Sequence, residues 1–422
     1  MDVLLQLANY SAQLNVPSNS LRNDSVPMNT AGGTDHVFVN GNLARSMLAV
    51  HVLVGKPKAY AAQGLAWCDT LCDLQASTTS SRGNAAGYWG AGYGEPASCT
   101  ARPLSGDCAA GGDIYLGDTG TAATVLGLCY KLSSDSKQRA RYLNTMNKFA
   151  TFLLEGSATA PVNKKGTVGP DGFVHTATGA VGCGYYRCSA RTPDSCSAVP
   201  GPAALQCPSL SPYTISTGTA GGAFFSELYA ITRNATYAAV AEKAVAYLAS
   251  VALASGEVPY ILDGANCTTA ECPTRGTMGG PWPFDTISYV TEGVAAYALT
   301  QANGSDARST ARRSALLTQW EATVAYLLRM QKPSGVWGPM GSGDQQRSPR
   351  CLTLLSWWLA AAPGDTASVK KSDVRRAVAR FVEFLRSPAA YADDGFGLGD
   401  NTIVVGMTAL ALADAISFGA TF

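Results

Sequence analysis

Six apolar segments rich in alanine and glycine recur along the chain, each beginning just after a polar or glycine-rich loop. They are apolar on several faces rather than along one stripe, as residues 294–299 (VAAYAL) illustrate. All-round apolarity is typical of a buried helix. The pattern predicts six buried inner helices, over Gly41–Val54, Thr119–Leu132, Ser216–Thr232, Thr286–Gln301, Pro349–Ala361 and Thr402–Phe418.

A second set of segments alternates with the first and carries arginine and lysine on one face. In one of them Leu143, Met146, Phe149 and Leu153 follow a helical spacing, which indicates an amphipathic helix. Met1–Leu14 has Val3, Leu4, Leu7 and Leu14 on one side and is expected to be the outer partner of the last inner helix. The predicted outer helices are Met1–Leu14, Ala59–Leu74, Ser136–Leu154, Thr236–Leu253, Arg308–Met330 and Lys371–Leu385.

Inner helix, outer helix and loop, repeated six times, predict an all-α fold, an (α/α)6 toroid of six inner and six outer helices with long disulfide-bearing loops. Each helical hairpin needs its neighbours to cover its apolar face. We therefore expect residues 1–422 to form a single domain. Residues 155–211 are expected to form a long, irregular, disulfide-rich loop within it.

Composition narrows the classes of partner. The 422 residues are 46% hydrophobic and 14% charged, with a net charge of +1, so neither a nucleic acid nor an acidic membrane surface is indicated. The longest uninterrupted apolar run, Ile403–Ala413, is shorter than the roughly 20 residues that span a bilayer.

Twelve cysteines point to an oxidising compartment, since many stand in close pairs within loops. Cys68 and Cys72 lie one helical turn apart and should not pair with each other, while Cys129 and Cys351 are expected to be buried, unpaired thiols within inner helices. Irregular spacing and only three histidines argue against zinc, and no metal or cofactor is expected. The predicted disulfide cysteines are Cys99, Cys108, Cys183, Cys188, Cys196, Cys207, Cys267 and Cys272.

Five Asn-x-Ser/Thr sequons favour a glycosylated, secreted protein. The first residues lack a basic segment and a signal cleavage site, so the numbering is expected to start after a removed signal or inside a longer product. The alternative is an intracellular protein with coincidental sequons. The predicted glycosylation sites are Asn9, Asn23, Asn234, Asn266 and Asn303.

The loops before the inner helices should converge at one mouth of the toroid, with the positive ends of the helix dipoles directed into it. Acids at these places either cap the helices or form a pair for acid/base work, as in glycoside hydrolysis. Glu292 lies two turns below Asp285 and is either a structural hydrogen-bonding group or a general acid with a raised pKa. The catalytic candidates are Asp118, Asp171, Asp285, Glu292 and Asp400.

Aromatic and basic residues crowd the same loops. Flat aromatic faces suit sugar rings, although the same side chains could simply seal the top of the barrel. Arg347 and Arg350 could hold a uronate carboxylate or pair with loop acids, and His175, near Tyr185 and Tyr186, could be a lyase-like base. The substrate-binding candidates are Tyr88, Trp89, Tyr93, His175, Trp282, Trp337, Arg347 and Arg350.

Residues 118–122 (DTGTA) and 395–397 (GFG), set in this repeat, resemble the six-hairpin glycosidase superfamily over nearly the whole chain. The resemblance is one of architecture. The chain is similar in this respect to the unsaturated glucuronyl and rhamnogalacturonyl hydrolases, which belong to that superfamily. It implies a glycan-acting enzyme with an aspartate acid/base in the mouth loops, where Asp118 and Asp171 lie. Terpenoid cyclases share such toroids, but Asp393-Asp394 alone does not supply their aspartate-rich motif.

Two functions follow. The first is a secreted carbohydrate-active enzyme, a glycoside hydrolase acting on a carbohydrate or polysaccharide with its mouth-loop carboxylates. The second is a catalytically silent extracellular glycan-binding or self-assembling glycoprotein of a cell wall, matrix or filament. Fold alone does not decide between them. Unpaired acids in an open aromatic cleft would favour the enzyme, and a mouth blocked by residues 155–211 would favour the silent protein.

Overall fold

The computed structural model describes residues 2–13, 37–54, 58–75, 87, 89, 114–155, 172–187, 206–258, 283–301, 307–339, 345, 348–362, 364–391, 396, 398 and 402–417, for some of them the backbone alone. Within these ranges the chain is a ring of helices in two layers. The inner layer is α2 (Val37–Val54), α4 (Leu116–Leu132), the run α6 (Thr214–Ser216), π1 (Thr217–Phe224) and α7 (Phe225–Thr232), then α9 (Pro283–Gln301), α11 (Pro349–Ala361) and α13 (Thr402–Ser417).

Each inner helix packs against the next one along the chain, and α13 packs against α2, so the ring is closed. The outer layer covers it, and each outer helix contacts its inner partner. The outer helices are α1 (Asp2–Gln13), α3 (Lys58–Leu74), α5 (Ser136–Glu155), α8 (Ala235–Val251), α10 (Ala307–Met330) and α12 (Lys371–Leu385). The predicted (α/α)6 toroid is confirmed, and α1 packs against α13 as expected.

Small residues allow the inner helices to approach each other closely. A Cβ at Gly120 would lie 2.6 Å from the backbone nitrogen of Ala220, and one at Gly222 would lie 2.7 Å from Cα of Gly293. Side chains at these positions would force the helix axes apart. The glycine and alanine enrichment of the inner segments therefore determines the diameter of the ring.

The third inner helix contains an unusual π-helical segment. Thr217–Phe224 reads TGTAGGAF, and all eight residues are buried. Thr219 Oγ1 donates both to the carbonyl of Ile215 in its own helix and to that of Gly117 in α4, at 3.0 and 2.9 Å. π-Helical turns occur mostly as short insertions and often near functional sites. Here the segment widens one helix at the point where three inner helices meet.

Two loops that follow outer helices repeat one geometry 256 residues apart, as their similar sequences suggest. Gln75, at the end of α3, donates to the carbonyl of Gly87 at 3.0 Å and to that of Thr145 in α5 at 2.9 Å. Gln331, at the end of α10, donates to Gly335 and to Ala377 in α12, both at 2.8 Å. Each glutamine thus links its own loop to the next outer helix.

A glycine and a tryptophan complete each of these loops. Gly335 has φ +97°, and a Cβ there would lie 2.4 Å from the carbonyl oxygen of Arg380 in α12, so no other residue fits without strain. The indole nitrogen of Trp337 donates to the carbonyl of Leu327 at 2.8 Å. Trp89 does the same with Leu71 at 2.7 Å. These contacts attach successive hairpins of the ring to one another.

A small antiparallel sheet includes part of residues 155–211, which were expected to be irregular, and one short strand before α4. Its strands are β1 (Ile114–Tyr115), β2 (Gly182–Arg187) and β3 (Gln206–Pro212), in the order β1-β2-β3. The expectation that residues 155–211 are irregular throughout is therefore wrong for β2 and β3. The two strands pair in register from Arg187 opposite Gln206 to Gly182 opposite Pro212, with one irregularity.

A disulfide joins Cys68 of α3 to Cys129 of α4, with their Cα atoms 6.6 Å apart. The prediction that Cys129 is an unpaired thiol is therefore wrong, because the neighbouring outer helix presents Cys68 to it. Among the described cysteines, Cys72 and Cys351 are not in a disulfide. Of the cysteines predicted to pair in loops, Cys183 and Cys207 lie on β2 and β3 with undescribed side chains, and the other six lie outside the described residues.

None of the described helices is long and apolar enough to cross a membrane.

Candidate functional site

A buried ion-pair cluster occupies the interior of the ring. Glu292, the tenth residue of α9, is 4% exposed. One of its carboxylate oxygens accepts from Nη1 of Arg45 in α2, and the other accepts from Nη2 of Arg350 in α11. The guanidinium carbon of Arg350 also lies 3.6 Å from the centre of the Tyr289 ring. Three inner helices are thus connected through one carboxylate.

The charge state of Glu292 follows from these contacts. Burial by itself raises the pKa of a carboxyl group, but the positive charges of Arg350 and Arg45 outweigh burial and lower the pKa of Glu292. Glu292 is therefore ionised at neutral pH, and the interpretation of Glu292 as a general acid with a raised pKa is contradicted. The structure supports the other interpretation, a buried group that is paired and hydrogen-bonded.

A second carboxylate lies beyond Arg45. Asp414, on α13, accepts a hydrogen bond from the indole nitrogen of Trp357 at 3.0 Å. The Arg45 guanidinium lies over the Trp357 ring, 5.3 Å from its centre. Burial raises the pKa of Asp414 to about 6, although Arg45 and the Trp357 hydrogen bond act in the opposite direction. Asp414 is therefore the group of this cluster that titrates closest to neutrality.

Asp118 lies at the mouth where the inner helices begin. It is the third residue of α4 and partly buried. Successive glycines of α4 and π1 meet successive residues of the next inner helix, so α4, the α6–π1–α7 run and α9 run parallel. The contacts of Gly117 with Ile215 and of Gly218 with Val290 show which residues lie at the same height along the ring axis. The match places Asp118 two to four residues, or roughly 3–6 Å along the axis, closer to the mouth than Glu292. A carboxylate in a first turn is stabilised by the positive end of the helix dipole.

A cavity of about 310 Å³ opens at the other end of the ring, where the inner helices finish. Arg45 and Glu292 lie at its floor. Lys131, in the last turn of α4, and Arg233, directly after α7, lie at its rim. Lys131 forms an ion pair with Glu227 at 2.6 Å. The ring therefore has a mouth at one end and a charged cavity at the other, with the Glu292 ion pairs between them.

No family model matches the chain, and no curated protein sequence matches it. Solved structures do match it in shape. The GH76A α-1,6-mannanase of Salegentibacter sp. HEL1_6 superposes with a TM-score of 0.61 at 11% identity, over 99% of each chain. An inactive variant of that mannanase, with two adjacent aspartates replaced by asparagine, is similar at TM-score 0.60 in its complex with α-1,6-mannotriose.

Two further structures extend the likeness to other chemistries. A glycosyl hydrolase family 88 protein from Bacteroides vulgatus matches with a TM-score of 0.54 at 13% identity, over 99% of each chain. A sugar epimerase from a ruminal bacterium matches with a TM-score of 0.59 at 8% identity, over 98% of each chain. The chain shares its (α/α)6 toroid fold with these structures. At these identities the likeness establishes the toroid and not the reaction.

Within this toroid, two predicted sugar-binding tryptophans belong to the core. Trp89 is 1% exposed and packs on Phe149, with ring centres 5.4 Å apart. Trp337 is fully buried and packs on Phe381 at 5.8 Å. Both roles in substrate binding are contradicted, because each indole seals the junction between two outer helices. An aromatic residue in a loop gives the same sequence signal in either role.

Two other predicted binding residues, Arg350 and His175, lie within the described structure. Arg350 is 5% exposed and forms an ion pair with Glu292, so its guanidinium is not presented to a uronate in the mouth. Its carboxylate partner lies on an inner helix and not, as the alternative interpretation expected, in a loop. His175 lies in a turn whose Gly179 packs against Lys243 of the outer helix α8. That turn is bounded by the bridge between Val174 and Val181.

The remaining candidates are partly outside the described residues. Asp118 and Asp285 each lie third in their helices, inside the first turn, so the interpretation of these two as N-caps is wrong. The side chain of Asp285 is not described. Asp171, Asp400, Tyr88, Tyr93, Trp282 and Arg347 lie outside the described ranges.

Sequence reasoning missed Arg45, Trp357 and Asp414. The available signal was a charged side chain within an apolar inner segment, at Arg45 in α2 and at Asp414 in α13. Burying a charge is unfavourable unless it is paired, so two such residues of opposite sign indicate a shared interior site. Among the described residues, no three histidine, cysteine, aspartate or glutamate side chains gather as they would around a metal ion.

Two of the predicted glycosylation sites are described. Asn234 is exposed and caps α8, since its side-chain oxygen accepts from the backbone of Thr236 at 3.0 Å. Asn9 is exposed on α1 and accepts a hydrogen bond from the hydroxyl of Tyr60. Asn23, Asn266 and Asn303 lie outside the described residues. Glycosylation at all five stays a prediction.

Proposed function

We propose that the protein is a secreted carbohydrate-active enzyme, a glycoside hydrolase that acts at the mouth where the inner helices begin. The observation that carries the proposal is the position of Asp118, a partly exposed carboxylate in the first turn of α4, above the ion-pair cluster of a closed toroid. The same fold serves a mannanase and a family 88 glycosyl hydrolase, which supports a carbohydrate as the substrate.

In this proposal Asp118 is one member of an acid/base pair. Hydrolysis of a glycosidic bond needs a second carboxylate, at roughly 5–5.5 Å for retention or 6.5–9.5 Å for inversion. Asp285, in the first turn of α9, is one candidate for it, and Asp171 and Asp400 are candidates from the sequence alone. Glu292 has a different role, since its carboxylate forms ion pairs with both Arg45 and Arg350. It holds Arg350 and Tyr289 as a rigid floor beneath the mouth.

The test is turnover of a glycan panel that includes α-1,6-mannooligosaccharides and unsaturated uronides. Wild type is compared with Asp118→Asn and with Asp373→Asn. Asp373 is a matched control, because it is also the third residue of its helix but lies on the outer helix α12. We expect Asp118→Asn to lose about 100-fold or more in kcat, the usual scale for an acid/base group, and Asp373→Asn to retain activity.

Unchanged turnover in Asp118→Asn would keep the enzyme but assign the chemistry to another acid. The second candidate function, a silent glycan-binding or self-assembling protein, is favoured by the complete pairing of Glu292 and by the burial of Trp89 and Trp337. Saturable glycan binding without turnover, in folded protein, would support this candidate and reject the hydrolase. Sedimentation of the same sample over a range of concentrations would detect self-assembly.

A further inference from the structure

We propose that the cavity where the inner helices finish is a second binding site, for a small hydroxylated carboxylate of about the size of one sugar ring. Its volume of about 310 Å³ lies at the lower limit of ligand pockets, which span roughly 300–1,000 Å³. The cavity lies at the opposite end of the ring from the proposed hydrolase mouth. The proposal concerns binding and does not depend on turnover at that mouth.

The rim supplies a positive charge for a carboxylate. Arg233 is exposed, and its guanidinium carbon lies 5.7 Å from the centre of the Tyr229 ring. It forms no ion pair with any residue in the described part of the chain. Lys131 beside it is balanced by Glu227, which leaves Arg233 as the uncompensated charge of the rim. A guanidinium binds a carboxylate through two parallel hydrogen bonds.

Arg233 also has an unusual backbone. Its φ of +59° makes it the single non-glycine residue with a left-handed conformation among the described residues. Such a conformation is unfavourable by about 1 kcal/mol or more for a side chain like arginine, and asparagine or glycine would be the usual choice. The conformation places the arginine at the point where α7 ends and the cavity opens.

The wall contains a buried hydroxyl group that lacks a partner. Ser226 lines the cavity, is 1% exposed, and its Oγ has no hydrogen-bond partner within the described structure. A buried polar group without a partner is unfavourable, and most buried polar groups in proteins are hydrogen-bonded to the protein itself or to an ordered water molecule. The Oγ is buried in this structure, so a rotation of the Ser226 side chain would be needed to bring it to a hydroxyl group of a bound ligand.

Two threonines of the cavity wall determine which hydrogen-bonding groups the ligand must have. Thr124 Oγ1 donates to the carbonyl of Gly120, and Thr300 Oγ1 donates to that of Ala296, both at 2.8 Å. Since each hydroxyl already donates its proton within its own helix, its oxygen can only accept a hydrogen bond from a ligand. The ligand must therefore bring hydroxyl protons as well as a negative charge. A neutral sugar lacks the charge, and inorganic phosphate lacks the set of hydroxyl groups that a sugar ring carries.

The experiment is isothermal titration calorimetry of the full chain with glucuronate, glucose and inorganic phosphate. Wild type is compared with Arg233→Gln and with Arg329→Gln. Arg329 is the matched control, since it also lies over a tyrosine, Tyr326, at 5.8 Å but on the outer helix α10. We expect one glucuronate per chain, weaker binding of the other two probes, and a loss of about tenfold in affinity in Arg233→Gln alone.

A cavity-filling variant locates the ligand. Ala230 lines the cavity on α7 and is only partly buried, so Ala230→Leu should fold and occlude it. Glucuronate binding should be lost in Ala230→Leu and unchanged in Asp118→Asn, which separates this site from the mouth. Absence of saturable glucuronate binding would overturn the proposal. Binding that survives both Arg233→Gln and Ala230→Leu, or that is lost in Asp118→Asn, would overturn it equally.

Discussion

The guanidinium of Arg350 lies between the carboxylate of Glu292 and the ring of Tyr289, with its carbon 3.6 Å from the ring centre. Tyr289 and Glu292 are one turn apart on α9, so one face of that helix presents both an anion and an aromatic surface to α11. The arginine is held on two sides by one helix. This arrangement makes the α9–α11 contact a polar junction within an otherwise apolar ring.

Breaking this junction should be strongly destabilising. Glu292→Gln leaves the buried guanidinium of Arg350 and the partly buried guanidinium of Arg45 without their ion-pair partner, which is expected to lower the free energy of unfolding by about 3–5 kcal/mol. Urea unfolding followed by circular dichroism measures the change. Glu383→Gln is the control, because Glu383 pairs with Arg386 at 3.8 Å on an exposed surface and should change stability by less than about 1 kcal/mol. Similar effects of the two variants would contradict a special role for Glu292.

Asp414 should make stability depend on pH in the opposite sense to an ordinary ion pair. Its pKa of about 6 in the folded protein lies above its value in the unfolded chain, so the folded state binds the proton more tightly between pH 4 and 6. The contribution of Asp414 to stability is therefore present in full below pH 4 and is lost as the pH rises through 6.

Asp414→Asn cannot ionise but still offers an oxygen to the Trp357 indole. Relative to wild type, the variant should gain roughly 2 kcal/mol of unfolding free energy between pH 4 and pH 7. Urea denaturation at several pH values gives the difference directly, with Asp373→Asn as the exposed control. A difference that is constant with pH would show that Asp414 does not titrate in this range.

The glycine of the repeated loop should tolerate no side chain. Gly335→Ala adds a Cβ that would meet the Arg380 carbonyl at 2.4 Å in a backbone with φ +97°. We expect a loss of about 2 kcal/mol or more. Gly364→Ala is a suitable control, since a Cβ there meets nothing within 4 Å. Thermal unfolding of the two variants should separate them clearly, and equal melting temperatures would contradict the attachment of α10 to α12 through this loop.

The disulfide between Cys68 and Cys129 should contribute to stability by restricting the unfolded chain. It closes a separation of 61 residues, and removing such a bond lowers the unfolding free energy by about 2–5 kcal/mol. Cys68→Ala is the variant and Cys72→Ala the control, because Cys72 lies one turn away on the same helix without a disulfide. Peptide mapping under non-reducing conditions tests the pairing itself, and a Cys68–Cys72 peptide would refute it.

Much of the ring could be predicted because inner and outer helices differ in a property that sequence shows directly. Inner segments are apolar all round, and outer segments carry a charged face. Pro349–Ala361 and Lys371–Leu385 were predicted with the bounds that the structure has. The helix starts at Asp118 and Asp285 were placed a few residues late, because the polar residue was interpreted as a cap rather than as part of the first turn.

The interior of the ring could not be predicted, because its contacts join distant positions. Arg45 and Glu292 are 247 residues apart in sequence, and only the closed ring brings them together. Likewise, nothing local to Cys129 indicates that Cys68 lies beside it. Trp337 was misjudged for a related reason, since a tryptophan near a loop glycine suits a sugar face and a helix junction equally well.

The contact between α13 and α2, supported by α1 against α13, joins the first and the sixth inner helices of the ring. During synthesis, the hairpin of α2 and α3 leaves the ribosome long before α13. The apolar side of α2 that α13 covers therefore stays exposed until α13 has been made. Closure between such remote segments is entropically demanding and slows folding. A chain cut short within α13 would therefore leave the first and fifth inner helices, α2 and α11, with exposed, aggregation-prone flanks.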